Sequence, residues 1–224
     1  RERLKALEDI VKLGINPFPP GEFEVNATSR DIRENYERDK LSYKNISIAG
    51  RLMSRRIMGN ASFAELQDSS GRIQIYLKRD EICPGENKSL YNTVFKHLVD
   101  IGDIIGVKGY VFTTQVGEIT VHVTQFTLLS KSLRPLPSVK TDSEGKVHDL
   151  FKDVELRYRQ RYVDLVVNEQ VRGVFLKRSR LIKSMRDFLD GRGYLEVETP
   201  VLQPLYGGAR ARPFKTHHNA LDVE

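Results

Sequence analysis

At 224 residues, 39% hydrophobic and 29% charged, the chain is long enough for one large or two small domains with real cores and reads as globular. A formal net charge of +6 and a pI near 9.3 favour a polyanionic partner without proving one. The single cysteine, Cys83, excludes an internal disulfide and a cysteine-rich zinc site, and no apolar run approaches the roughly 18 residues a bilayer span needs, so a cytoplasmic protein is expected.

Residues 1–44 read as an N-terminal helical extension. Leu4, Leu7, Ile10, Val11 and Leu13 recur at helical spacing, and Pro17, Pro19 and Pro20 are expected to stop that helix. The pattern is charged and amphipathic, unlike a signal peptide. A second helix is expected over 28–39, capped by Thr28 or Ser29.

From residue 45 to about 131 the period changes from helical to alternating. Strand side chains switch face at every residue, so the apolar set marks the core and its complement faces out. In the first strand Ile46, Ile48 and Leu52 oppose Arg51, Met53 and Arg55. In the second, Ala64 and Leu66 oppose Phe63, Glu65 and Gln67. In the third, Ile73, Ile75 and Leu77 oppose Arg72, Gln74 and Tyr76. In the last, Ile119, Val121 and Val123 oppose Glu118, Thr120 and His122. Phe63 is thus expected outside as a lone aromatic, with an amide and a carboxylate on the same face. The DSSG run at 68–71 predicts a hairpin. A helix is expected within 87–97, on Leu90, Tyr91, Val94 and Leu98. The implied architecture is a five-stranded OB-fold barrel, whose outer face is a place to bind single-stranded nucleic acid.

Residues 132–165 read as a linker that begins with Pro135 and Pro137. Val171, Val174, Phe175, Leu181, Ile182, Met185, Phe188 and Leu189 then predict a long helix with one buried face, ended by Gly191 and Gly193. A short strand over 194–199 is expected to stop at Pro200.

Other chemistry finds little support. Adjacent His217 and His218 point apart on a strand and lack the spacing of a metal site. His97, His122 and His148 are scattered, and no histidine is placed to activate Cys83. No phosphate-loop or dinucleotide fingerprint occurs. The RYRQRY run at 157–162 reads as a phosphate-contacting strip or as structural ion pairs, with the second favoured.

Five blocks carry a resemblance: GRLMSRRIMGNASFAELQDSSGRIQIYL (50–77), LSKSLRPLP (129–137), RYRQRYVDL (157–165), GYLEVETPVL (193–202) and GGARARPFKTHHNALD (207–222). In this order they resemble the bacterial lysyl family of class II aminoacyl-tRNA synthetases, over nearly the whole chain. The resemblance implies a fold that is mainly β with α: an anticodon-binding OB barrel, then the start of a class II α+β catalytic domain over 166–224.

Phe63 then matches the aromatic that stacks on an anticodon base, Gln74 the amide that bonds the central uridine, and Glu118 a carboxylate contacting the anticodon. Stacking suits any base face, and an amide can pair with the mixed edge of a uracil. Arg51, Arg55 and Arg56 are expected to neutralise the backbone or touch base edges. Gly208 matches a glycine lying against the bound lysine, with a plain turn as the competing reading. Pro200 matches the end of the motif 1 segment that forms the family's dimer interface, although apart from the resemblance a helix followed by a strand reads as ordinary core packing.

The implied parent is an ATP- and Mg2+-dependent lysine–tRNA ligase, a homodimer acting on a tRNA with a UUU anticodon. Its motifs 2 and 3 are not in the sequence, so this chain alone is expected not to activate lysine and to need no cofactor. Two alternatives remain: a free-standing OB-fold protein for single-stranded nucleic acid, and an aspartyl- or asparaginyl-type synthetase fragment.

Overall fold

A computed structural model describes residues 1–137, 139–141, 147–149, 151–200 and 214–222. The chain divides into two compact units, Arg1–Leu156 and Arg157–Glu224.

In the first unit, α1 (Glu2–Lys12) carries Ile10 into the core. Its stop is not a proline. Gly14, at φ +76°, ends it, with the Gly14 amide donating to Val11 O and the Ile15 amide to Ile10 O. That closure needs a left-handed residue, which glycine adopts without a Cβ penalty. The helix also buries a narrower stripe than the spacing implied, since Leu4, Val11 and Leu13 are exposed. The second helix, α2 (Ser29–Asn35), is shorter than expected, and Thr28 caps it by accepting from the Asp31 amide at 3.3 Å.

Five strands follow: β1 (Ile46–Met58), β2 (Ala61–Gln67), β3 (Arg72–Lys78), β4 (Ile104–Thr113) and β5 (Ile119–Ser130). They close in the order β1-β2-β3-β5-β4, with β3 parallel to β5 and every other pair antiparallel. This is the OB-fold barrel, which leaves no free sheet edge. β2 and β3 alternate strictly, with Ser62, Ala64, Leu66, Ile73, Ile75 and Leu77 inside, because their register runs without interruption. The hairpin between them is held by the Asp68 carboxylate, which accepts from the Ser70 and Gly71 amides at 2.7 and 2.9 Å.

Short α3 (Arg79–Ile82) leads toward the expected plug helix, Leu90–Leu98, which winds as a π-helix. It buries Tyr91, Val94, Phe95 and Leu98 at one mouth of the barrel, where the Tyr91 and Ser62 hydroxyls lie 2.7 Å apart. Phe95 stacks with Tyr91 and meets Phe126 edge-on.

The N-terminal extension shares this core through Ile10, Ile32, Tyr36 and Tyr43. It is tied to the β2–β3 hairpin by Asp68, whose two oxygens accept from the Ser29 amide at 2.6 Å and the Ser29 hydroxyl at 2.8 Å. Burial alone would raise the Asp68 carboxyl, but the Ser29 amide and hydroxyl and Ser70 outweigh it and hold the group below its usual value. Because the folded value is depressed, this contribution is complete above the unfolded carboxyl's titration near about pH 4 and fades as the pH falls through the lower folded value. An acid titration of stability should therefore show a shallower low-pH decline in Asp68→Asn than in the parent; superimposable declines would deny Asp68 that role.

The segment expected to be a linker carries a two-stranded ribbon, β6 (Val139–Thr141) and β7 (Val147–Asp149). Helix α4 (Val154–Arg159) spans the division, and α5 (Arg161–Val167) and the long α6 (Glu169–Asp190) follow in the second unit. Helix α6 ends where expected, but none of its residues is buried. Val174, Leu181, Ile182, Met185, Phe188 and Leu189 form an exposed apolar stripe, so the expected buried face is corrected. A stripe is buried only where something faces it, and the element packed on α6 is α5. Residues 194–200 form no strand, contrary to expectation, since a strand needs a neighbour to take its backbone hydrogen bonds.

Candidate nucleic-acid interface

The outward residues of β2, β3, β4 and β5 make one continuous face. Register sets two rows across it. One runs Arg56, Phe63, Tyr76, His122, Tyr110; the next runs Ser54, Glu65, Gln74, Thr120, Phe112. Phe63 and Gln74 are therefore diagonal neighbours across β2–β3, a geometry that puts such side chains about 7–8 Å apart.

Phe63 faces out as expected, half-buried, but it is not a lone aromatic. Its ring centroid lies 4.9 Å from that of Tyr76, which meets His122 edge-on at 5.0 Å and Phe112 at 6.1 Å. Tyr110 stacks on His122 at 4.7 Å. Tyr110 Oη and His122 Nδ1 share a 2.9 Å hydrogen bond, and the Glu81 carboxylate lies against His122 Nε2. Burial first, then the Glu81 carboxylate, hold the Tyr110 phenol above its usual value, so it stays protonated at neutral pH. Tyr76 and His122 were legible as outward residues, but their clustering with Phe112 depends on register.

Beside this cluster opens a cleft of about 530 Å³, lined by Met58, Phe63, Tyr76, Phe112, Val116 and His122 among others. Its walls come from the β2–β3 face, the end of β1 and the β4–β5 turn, the surfaces that OB-folds use for oligonucleotides. It is apolar and suits the flat face of a base.

Polar groups border the aromatics. The Gln74 carbonyl oxygen accepts from the Thr120 hydroxyl at 2.9 Å. Glu65 pairs with Arg72 at 3.0 Å, and Arg72 Nε also donates to Gln67 at 2.8 Å. Glu118 is exposed two residues before Thr120, on the same outward alternation, in a turn closed by the Thr114 amide donating to Glu118 O at 2.9 Å.

The arginines divide differently from the sequence expectation. A bulge at Met53 lets Leu52 face Leu66 and Ser54 face Glu65, so Arg55 falls opposite Ala64 on the inward side. Its guanidinium donates to the Val99 carbonyl at 2.8 Å and to the Phe95 carbonyl, at the end of the plug helix. Burial lowers its affinity for the proton, partly offset by Asp100 and Asp103. The outward placement expected of Arg55 is thus corrected: one inserted residue inverts every later side chain. Arg56 comes out instead, exposed and opposite Phe63. Arg51 stays outward and half-buried, with one N–H given to Gly102 O at 2.6 Å.

In the second unit, Arg157 and Arg161 of the RYRQRY run pair with the buried Asp164 at 2.9 and 2.5 Å. Burial would raise the Asp164 carboxyl, but Asn168 and Arg157 hold it low. Those two arginines therefore have the structural role. Gly208 lies outside the described residues, and Pro200 ends a stretch without regular structure. Among the described residues, no three His, Cys, Asp or Glu side chains are grouped to hold a metal, and no helix is long and apolar enough to cross a membrane.

Known proteins match both units. Residues 46–129 match the OB-fold nucleic acid binding domain family, and residues 153–223 match the class II tRNA synthetases for D, K and N. A lysine–tRNA ligase of Porphyromonas gingivalis is 61% identical over 222 residues, 99% of this chain and 38% of the relative. Those of Christiangramia forsetii and Azobacteroides pseudotrichonymphae are 60% and 58% identical, with 38% and 44% of their lengths covered. The chain thus spans about two-fifths of the curated relatives it matches. Nearly its whole length is thus similar to part of those lysine–tRNA ligases, with the OB-fold match first and the class II tRNA synthetase match after it.

Proposed function

We propose that this chain is the anticodon-binding part, with a portion of the catalytic domain, of a cytoplasmic lysine–tRNA ligase that couples lysine to tRNA at the expense of ATP. The observation that carries this reading is Phe63 and Gln74 as diagonal neighbours on one outward aromatic face, with Phe63 and Tyr76 lining an apolar cleft beside it. The rings offer stacking to any base, and the amide offers a choice among base edges. Arg51 and Arg56 supply charge for the backbone, and Glu118 borders the same face. Arg55 is dropped from the contact set, because its guanidinium is committed inside.

A tRNA with a UUU anticodon is the proposed partner. ATP and Mg2+ belong to this proposal through the synthetase family, for the full-length ligase; among the described residues no three His, Cys, Asp or Glu side chains are grouped to hold the metal. Gly208 is proposed to lie against the lysine, and Pro200 to belong to a dimer interface. The exposed apolar stripe of α6 supports that pairing, since surfaces of this kind usually meet a partner. The free-standing binding module is not favoured, because the likeness to ligases extends through the second unit.

In a gel-shift against a lysine anticodon stem-loop, Phe63→Ala should weaken binding by about 1–3 kcal/mol while circular dichroism stays unchanged. Parental affinity in that variant would refute the stacking role. Affinity should also drop steeply with salt, as phosphate contacts release counterions. Equal affinity for a mismatched anticodon would favour an unspecific single-strand binder.

A further inference from the structure

Gln74 has a carbonyl oxygen and an amide nitrogen at the end of one freely rotating bond, so on its own it accepts or donates with equal ease. A side chain that does both cannot distinguish a base carrying a keto oxygen from one carrying an exocyclic amine. Something must fix which atom faces out.

Thr120 is placed to do so. It sits beside Gln74 in the parallel β3–β5 register, on the outward alternation, yet it is fully buried, flanked across the sheet by Gln74 and Phe112. Water therefore does not complete its hydrogen bonding. Its β-branched side chain has few rotamers. Its hydroxyl donates to Gln74 Oε1 at 2.9 Å; the Glu118 carbonyl at 3.2 Å is the competing acceptor, and a hydroxyl turned to it would accept from the Gln74 amide instead.

We infer that Thr120 is a positioning residue: its hydroxyl holds the Gln74 carbonyl inward, so that only the amide N–H groups face the bound base. The inference rests on Gln74 reading a base, as proposed above. A donor presented in this way selects a keto oxygen, as in uracil or guanine, over the exocyclic amine of cytosine or adenine. The opposite orientation, carbonyl outward, would favour the amine. Specificity at this subsite then depends on a residue that need not touch the RNA.

The test uses the full 224-residue chain and two anticodon stem-loops that differ only at the central base, UUU and UCU. Equilibrium binding of each gives a preference ratio. The parent should prefer uridine. Thr120→Val removes the hydroxyl at nearly constant shape and should cut that ratio roughly tenfold, with a smaller change in affinity for UUU. Thr120→Ser keeps the hydroxyl and should restore the ratio, which a purely packing role would not predict. Gln74→Ala, run beside them, should lose the preference as well. A Thr120→Val ratio equal to the parent's, with Gln74→Ala losing it, would overturn the positioning role and leave base reading intact. A preserved ratio in Gln74→Ala would overturn base reading and this inference together. A parental preference for cytidine would show the carbonyl facing out and overturn it too. Thermal melts check folding, and Thr120→Ala serves as the second hydroxyl-free variant if the valine form does not fold.

Discussion

Replacing Asp103 with alanine should lower the unfolding free energy of the barrel by about 3–5 kcal/mol. Asp103 and Lys131 are both fully buried, and their charges lie 3.0 Å apart. Each Asp103 oxygen has further work: the Ser132 amide donates to Oδ1 at 2.7 Å and the Asp100 amide to Oδ2 at 2.8 Å. The pair fastens the end of β5 to the loop before β4, and the Lys131 amide donates in turn to Pro17 O at 3.1 Å, linking the extension. Truncating Asp103 strands a buried ammonium and two backbone donors. Asp100, 2.5 Å from the same ammonium and partly exposed, softens the loss toward the lower end of the range. Urea unfolding of the variant measures the effect, and a loss below about 1 kcal/mol would remove the pair from any account of stability. Adding Lys131→Met to the alanine variant should recover part of the loss, because an apolar side chain leaves no unpaired charge.

The second large effect is expected at Gly109. A Cβ there would lie 1.8 Å from the carbonyl oxygen of His122 and 2.9 Å from its carbonyl carbon. Both atoms are backbone, so neither has a rotamer to move away. Gly109 sits at the irregularity where β4 shifts register against β5, and it faces Val123. Gly109→Ala must push the two strands apart, at a cost on the order of 3 kcal/mol. His122 is the centre of the outward aromatic cluster, stacked with Tyr110 and edge-on to Tyr76. The same substitution should therefore weaken binding of the anticodon stem-loop in whatever fraction remains folded. A variant that melts with the parent and binds like it would contradict the close approach.

These two sites show where reading the sequence stops. Nothing in the residues around Gly109 or Asp103 announces a carbonyl oxygen 1.8 Å from where a Cβ would sit, or a lysine 28 residues on. The alternation of β2 and β3 was legible because it is local: each residue's face follows from the one before, and their register has no break. At Arg55 the local alternation no longer holds, since a single bulged residue in β1 turns the guanidinium from the outer face to the plug helix. The first helix likewise ends at a glycine closure before it reaches the prolines.

By itself the sequence determined the barrel, its plug helix, and the outward positions of Phe63, Gln74, Tyr76 and His122, because hydrophobic periodicity is a property of neighbouring residues. Only the tertiary structure decided that these positions meet Phe112 and Met58 around one cleft, that Thr120 holds the Gln74 amide, and that the apolar stripe of α6 lies open. Those outcomes depend on register between distant strands and on which surface faces which, and hydrogen bonding and packing across the fold set both.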